Sequence, residues 1–422
     1  MSSFRDILIL INAIAFFGIA AFIAFRVFSL RRNPEPHKPQ NLERFYDDEV
    51  LEGPHLERVL GVALVALVIS VVGLVAYFIW EPFRGADAVE GFKDRAVERG
   101  AILFAGTDSP EYDSTKSLLC ASCHGSDGRG GVAPFVVKSE DPRCSPTQKV
   151  NEDLEANQPY CLPEQVGWAA PSLQLAGLRY SRAQLTNIIT YGRPGTPMPA
   201  WGIASGKGVL NAQGVADLVA YVESIVTTSE KANAQADKEF EAMRTTLNTP
   251  EVQAKAARWV EDRRALLAQA EGELAALPAD ATPKERSVAD ATVVYMRDVL
   301  AVAEDWYDTT QFASTGKVLF MNNCARCHTR GWSYFDPTDP EGNPPPGEMG
   351  SGAYGPNLTD GDVNGQFPAP NGDAQLFAWI AEGVPANAGY GIRGISSGRM
   401  PHFGAVLSKE QIESIMEYER GL

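Results

Sequence analysis

The sequence predicts a mainly α-helical chain: an N-terminal transmembrane helical hairpin, then two similar helical modules joined by a helical linker. Three observations carry that expectation. Two long apolar runs fall within the first 81 residues. The pattern C-x-x-C-H occurs twice, beginning at Cys120 and at Cys324. The stretch between the two halves is rich in Ala, Glu, Lys and Arg and carries helix start signals. At 422 residues the chain is too long for one core, so modules are expected. A net charge of −16 excludes nucleic-acid binding, which needs clustered Lys and Arg to displace counterions.

Residues 7–25 are apolar except Asn12, and residues 59–80 carry no charge. Each run is long enough to cross a bilayer as a helix, for which roughly 17–25 residues serve. The first is longer than the apolar core of a secretion signal, and no small-x-small cleavage site separates it from the arginines that follow. Transmembrane helices are therefore expected at 1–28 and 59–81. The intervening 29–58 loop and its borders hold Arg26, Arg31, Arg32, Lys38, Arg44 and Arg58, so the positive-inside rule assigns this loop to the cytoplasm. Two crossings then leave the N-terminus and everything after Glu81 on the extracytoplasmic side.

Cys120-Ala121-Ser122-Cys123-His124 and Cys324-Ala325-Arg326-Cys327-His328 match the attachment motif of c-type haem. Two thiols on one helical turn reach the two vinyl groups of one porphyrin, and the adjacent imidazole is then held beneath the iron. Two covalently bound haem c groups are expected, with Cys120, Cys123, Cys324 and Cys327 as attachment points and His124 and His328 on the irons. A four-cysteine zinc site and a thiol-redox pair are the competing uses of C-x-x-C. The first does not suit an oxidising compartment, and the second wants a βαβ context absent from this sequence. Covalent haem attachment takes place outside the cytoplasm, in agreement with the charge-derived orientation.

Around these motifs the chain resembles the class I cytochrome c family twice, over residues 92–228 and 310–422. Arg99-Gly100-Ala101-Ile102-Leu103-Phe104 and Gly316-Lys317-Val318-Leu319-Phe320 resemble the family's N-terminal helix. Ala170-Pro171-Ser172-Leu173 and Gly355-Pro356-Asn357-Leu358 resemble its proline element, which accepts a hydrogen bond from the ligating histidine. Pro197-Met198-Pro199 and Arg399-Met400-Pro401 resemble the Met-Pro that supplies the sixth ligand. A C-terminal helix follows each, with Val215, Leu218, Val219 and Val222 on one and Ile412, Ile415 and Tyr418 on the other. The resemblance thus implies two class I cytochrome c domains, with Met198 and Met400 as distal ligands. A histidine and thioether pair raises the potential and leaves no open position, as suits an electron carrier. Met349 and His402 are nearby rivals, and a surface or propionate-side role is expected for His402.

The first module departs from the family by an insertion between His124 and Pro171 that holds Cys144 and Cys161. In an oxidising compartment these two form a candidate disulfide, contributing on the order of 3 kcal/mol. In the 229–309 linker, Thr249-Pro250 and Thr282-Pro283-Lys284-Glu285 are helix start signals. Apolar residues from Val252 to Leu277 and from Val288 to Trp306 recur at helical spacing, predicting a helical hairpin that turns at 278–281. The 329–373 stretch is rich in Gly, Pro and Asp and is expected to wrap one haem edge.

The resemblance implies a membrane-anchored dihaem cytochrome of a respiratory chain, with no small-molecule substrate of its own. Its partners are then the cytochrome b and Rieske protein of a bc-type complex, or the haem-copper oxidase of which it is the dihaem subunit. A dihaem redox enzyme, a peroxidase or thiosulfate-oxidising cytochrome, is the alternative, and needs an iron with a displaceable ligand.

Overall fold

The computed structural model describes residues 17–18, 21–22, 24–25, 28, 53–138, 164–336 and 346–422. Two compact units are present, Met1–Ala86 and Asp87–Leu422. Most of the first apolar run and the whole Cys144 and Cys161 pair lie outside the described residues.

In the first unit, large apolar side chains from Val59 to Phe78 are exposed on every face of the helix. Among the described residues nothing covers that surface, and the helix is long and apolar enough to cross a membrane. This helix, α1, spans Pro54–Phe104. The sequence reading ended the second span at 81, and the helix over those residues runs on through Pro82 to Phe104. Inside a helix proline lacks the N–H for one hydrogen bond and its ring crowds the carbonyl four residues back. The following turn is supported by Arg84, which donates to both carboxylate oxygens of Glu81 at 2.6 and 2.7 Å.

The second unit is built on two repeats of one helix crossing. The repeat begins with the C-terminal turns of α1, followed by α2 (Ala121–His124), β1 (Gly131–Val137) and β2 (Glu164–Ala170). Next come α3 (Ala176–Arg179), α4 (Arg182–Tyr191) and α5 (Ala212–Ser224). A Cβ on Gly100 would lie 2.1 Å from Asp217 O and 2.7 Å from Tyr221 Cβ, so α1 and α5 touch backbone to backbone. Phe104 packs on Tyr221 at 5.0 Å between ring centroids, and Val215, Leu218, Val219 and Val222 form the core with it. Arg99 locks the crossing by donating two 2.7 Å hydrogen bonds to the buried Asp217.

Three long helices follow, α6 (Ser229–Leu247), α7 (Pro250–Ala275) and α8 (Pro283–Gln311). The Thr249 hydroxyl caps α7 and a capping box of Thr282 with Glu285 starts α8. The sequence reading had two helices here. α6 was missed because its buried face is made of Ala232, Ala236 and Leu247, too weak an apolar period to stand out.

The second repeat comprises α9 (Thr315–Asn323), α10 (Ala325–His328), α11 (Asp362–Gln366) and α12 (Gly372–Glu382). A short ribbon, β3 (Gly389–Tyr390) with β4 (Gly394–Ile395), and α13 (Lys409–Glu419) complete it. Gly316 repeats Gly100: its Cβ would meet Ser414 O at 2.0 Å, and Phe320 packs on Tyr418 at 5.3 Å. The core of this repeat is shared with the long helices. Trp259 and Trp306 are buried in one cluster with Val318, Leu319, Phe320 and Phe335.

The insertion of the first repeat is framed by β1 and β2, an antiparallel pair running from Gly131 opposite Ala170 to Val137 opposite Glu164. No strand was expected there. Ala133, Val166 and Trp168 point inward, a period of two too short to separate from loop by pattern alone.

Candidate functional site

Each C-x-x-C-H motif folds as one helical turn opened by its first cysteine, with His124 N donating to Cys120 O and His328 N to Cys324 O, both at 3.0 Å. The two thiols and the imidazole of each motif are thereby presented from one turn.

Both imidazoles are oriented in the same way. His124 Nδ1 lies 3.2 Å from Pro171 O, and His328 Nδ1 lies 3.0 Å from Pro356 O. A carbonyl only accepts, so each Nδ1 carries the proton and each Nε2 keeps its lone pair for a metal. Burial also pushes both imidazoles toward the neutral form, opposed by the proline carbonyls. His328 is the more enclosed of the two, buried against Gly355, where a Cβ would come within 2.5 Å of the ring. The Gly- and Pro-rich loop returns here, with Gly352 N donating to His328 O and Gly355 N to Cys327 O at 2.9 and 2.8 Å.

Met198 and Met400 occupy equivalent places. α4 and α12 end at Gly192 and Gly383, both in the left-handed region, and a Cβ there would strike Met198 O at 2.7 Å or Met400 O at 2.9 Å. Three residues after each methionine the chain is pinned to the preceding helix, Trp201 N to Ile189 O and Phe403 N to Ile380 O. Each Met-Pro is thus held against a helix end by the same backbone pattern. Met349, the rival, instead accepts from Thr329 Oγ1 at 3.4 Å, beside the residue that follows His328. His402 is exposed and its N–H donates to Arg179 O at 3.1 Å.

The surroundings fit a covalently held, iron-centred group better than the other uses of paired thiols. Burial pushes the Cys120 thiol up to about 12, raises Cys324 well above the ordinary range, and raises Cys327 as well. A redox-active pair needs the opposite shift, toward the thiolate. Among the described residues no three His, Cys, Asp or Glu side chains converge to hold a metal ion on their own. Buried Arg179 Nε and Asn322 Nδ2, without partners among the described residues, flank the second attachment turn.

The two sites also meet. Arg326, between the second pair of cysteines, donates through Nη1 to Ala169 O, two residues before the Pro171 carbonyl that orients His124. Tyr354 OH donates to Gly195 O at 2.9 Å, and Gln184 Nε2 to Gly398 O at 3.1 Å. Trp168 packs between Tyr334 and Tyr354 at 5.7 and 6.2 Å. Arg179, Arg193 and Arg326 all bring positive charge to Cys327. None of these cross-repeat contacts has a sequence signature; they join residues more than 150 apart and depend on how the repeats dock.

Residues 97–225 match the family model described as cytochrome c, and residues 311–418 match that of cytochrome c oxidase, cbb3-type, subunit III. No curated protein and no solved structure matches the chain.

Proposed function

We propose that the chain is the membrane-anchored dihaem electron-transfer subunit of a haem-copper oxidase, a reading supported by the match of its first repeat to the cytochrome c model and of its second to the cbb3-type oxidase subunit III model. The observation that carries this reading is the duplication of one arrangement. A turn bearing two thiols and a histidine, a proline carbonyl on that histidine and a methionine pinned to a helix end occur twice in one compact unit.

In this reading Cys120 with Cys123 and Cys324 with Cys327 each hold one haem c through thioether bonds. His124 and His328 are the proximal ligands, and Met198 and Met400 the distal ones. Haem c supplies an iron that exchanges one electron and, with both axial positions filled, binds no substrate. The proline carbonyls fix the imidazole planes. The glycines at the helix ends let the Met-Pro segments approach, and the buried cores exclude water. The apolar part of α1 and the run at 7–25 anchor the chain with two crossings. The arginine-rich loop is cytoplasmic, and the N-terminus and both haem-binding repeats are extracytoplasmic.

The reading is tested by pyridine haemochrome assay and visible spectroscopy on the full chain purified in detergent. Two acid-acetone-resistant haems per chain are expected, with a sulfur-to-iron charge-transfer band that Met198→Ala and Met400→Ala each diminish by about half. One haem or none, or a band indifferent to both substitutions, would sink it. Co-purification with a cytochrome b and Rieske protein in place of an oxidase would transfer the subunit to a bc-type complex.

A further inference from the structure

The geometry points to Arg179, a residue of the first repeat, as the cation that sets the potential of the haem site in the second repeat. Arg179 ends α3 in the first repeat, yet its side chain lies in the second. Its Nη2 is 3.4 Å from Asn323 Oδ1, on the residue preceding Cys324. Its guanidinium carbon stands 5.1 Å over the ring of Phe403, three residues after Met400. Its backbone carbonyl accepts from His402 N, between those two. One side chain therefore spans from the attachment turn to the Met-Pro loop of the opposite repeat.

The charge there is poorly compensated. Arg179 has no carboxylate partner among the described residues, and its Nε is shielded from solvent without a hydrogen bond. Burial lowers its affinity for a proton, opposed by Tyr180, Glu239 and the Cys324 and Cys327 sulfurs. A cation with little water and no hydrogen-bonded carboxylate disfavours a further positive charge nearby, so it favours the ferrous over the ferric state. Arg179 reaches the second site only while the repeats are docked. Arg179 touches no reacting atom and is a positioning residue, acting through the field.

This inference rests on the dihaem reading, and the two fail separately. Redox titration of the full haem-loaded chain resolves two one-electron components, and Met400→His identifies the second-site one by displacing it. In Arg179→Gln that component is expected to fall until the oxidised-to-reduced ratio at fixed potential rises about tenfold, equivalent to ~59 mV for one electron. Arg179→Lys should retain at least half of the effect, and the first component should stay in place. Arg179→Met, which keeps the length of the stem, carries the same expectation as Arg179→Gln if that variant does not fold. Unmoved components, an equal fall in the Lys and Gln variants, or a shift confined to the first component would each overturn the role. Fewer than two haems in the unmodified protein would instead overturn the dihaem reading.

Discussion

Replacing Gly316 with alanine separates two opposing effects of a helical glycine. In an open helix the change is favourable, by about 0.5–1 kcal/mol, because alanine loses less backbone freedom on folding. At Gly316 the new methyl would stand 2.0 Å from Ser414 O, 2.8 Å from Ser414 C and 2.9 Å from Tyr418 Cβ. Ordinary contact for a Cβ begins at 3.4 Å, so α9 and α13 must part by more than one ångström, against backbone that cannot rotate away. Overpacking of this kind costs about 1–3 kcal/mol or more, which exceeds the propensity gain. Gly272, in the last turn of α7, has no atom within 4 Å of its would-be Cβ and isolates the favourable effect. Urea unfolding of the full chain, followed by circular dichroism, should place Gly316→Ala roughly 1–3 kcal/mol below Gly272→Ala. If Gly316→Ala proves as stable as Gly272→Ala, the backbone-to-backbone crossing is wrong.

Two further outcomes follow from buried groups. Burial raises the Glu419 carboxyl from 4.5 to about 8. The folded state then holds a proton that the unfolded state releases, so stability is full below about 4.5 and is lost as pH rises through about 8. The total loss is on the order of a few kcal/mol. Glu419→Gln should flatten the unfolding free energy between pH 5 and 9, and a slope identical to wild type would refute the assignment. Trp259 is fully enclosed, and its indole N–H has no partner among the described residues. Trp259→Ala should cost about 3–5 kcal/mol, and Trp259→Phe much less because the stranded donor goes with the indole. Thermal melts of both variants check the order, and equal losses would contradict it.

The attachment turns, the proline elements and the Met-Pro segments were legible because their chemistry forces residue types into fixed local spacing. Helix starts at Thr249 and Thr282 were legible for the same reason, since a cap is written within four residues. What stayed hidden depends on tertiary partners. The alanine face of α6 gains its meaning only from what it packs against. The β1–β2 pair is too short to declare itself, and the run of one helix from Pro54 to Phe104 carries no signal in the apolar pattern beyond residue 80. Arg179 and Arg326 were ordinary arginines until the repeats docked.

Sharing Trp259, Trp306, Phe335 and Phe320 in one cluster means that the second repeat, recognisable by itself in sequence, is not an independent part. During synthesis at about 5–20 residues per second, α7 and α8 emerge before α9 exists. Their tryptophans stay wet until Val318 to Phe320 leave the ribosome. A gene fragment cut at the motif boundary would start life with that surface permanently uncovered, so recombining the repeats of such chains should succeed only when the helical insert travels with the second.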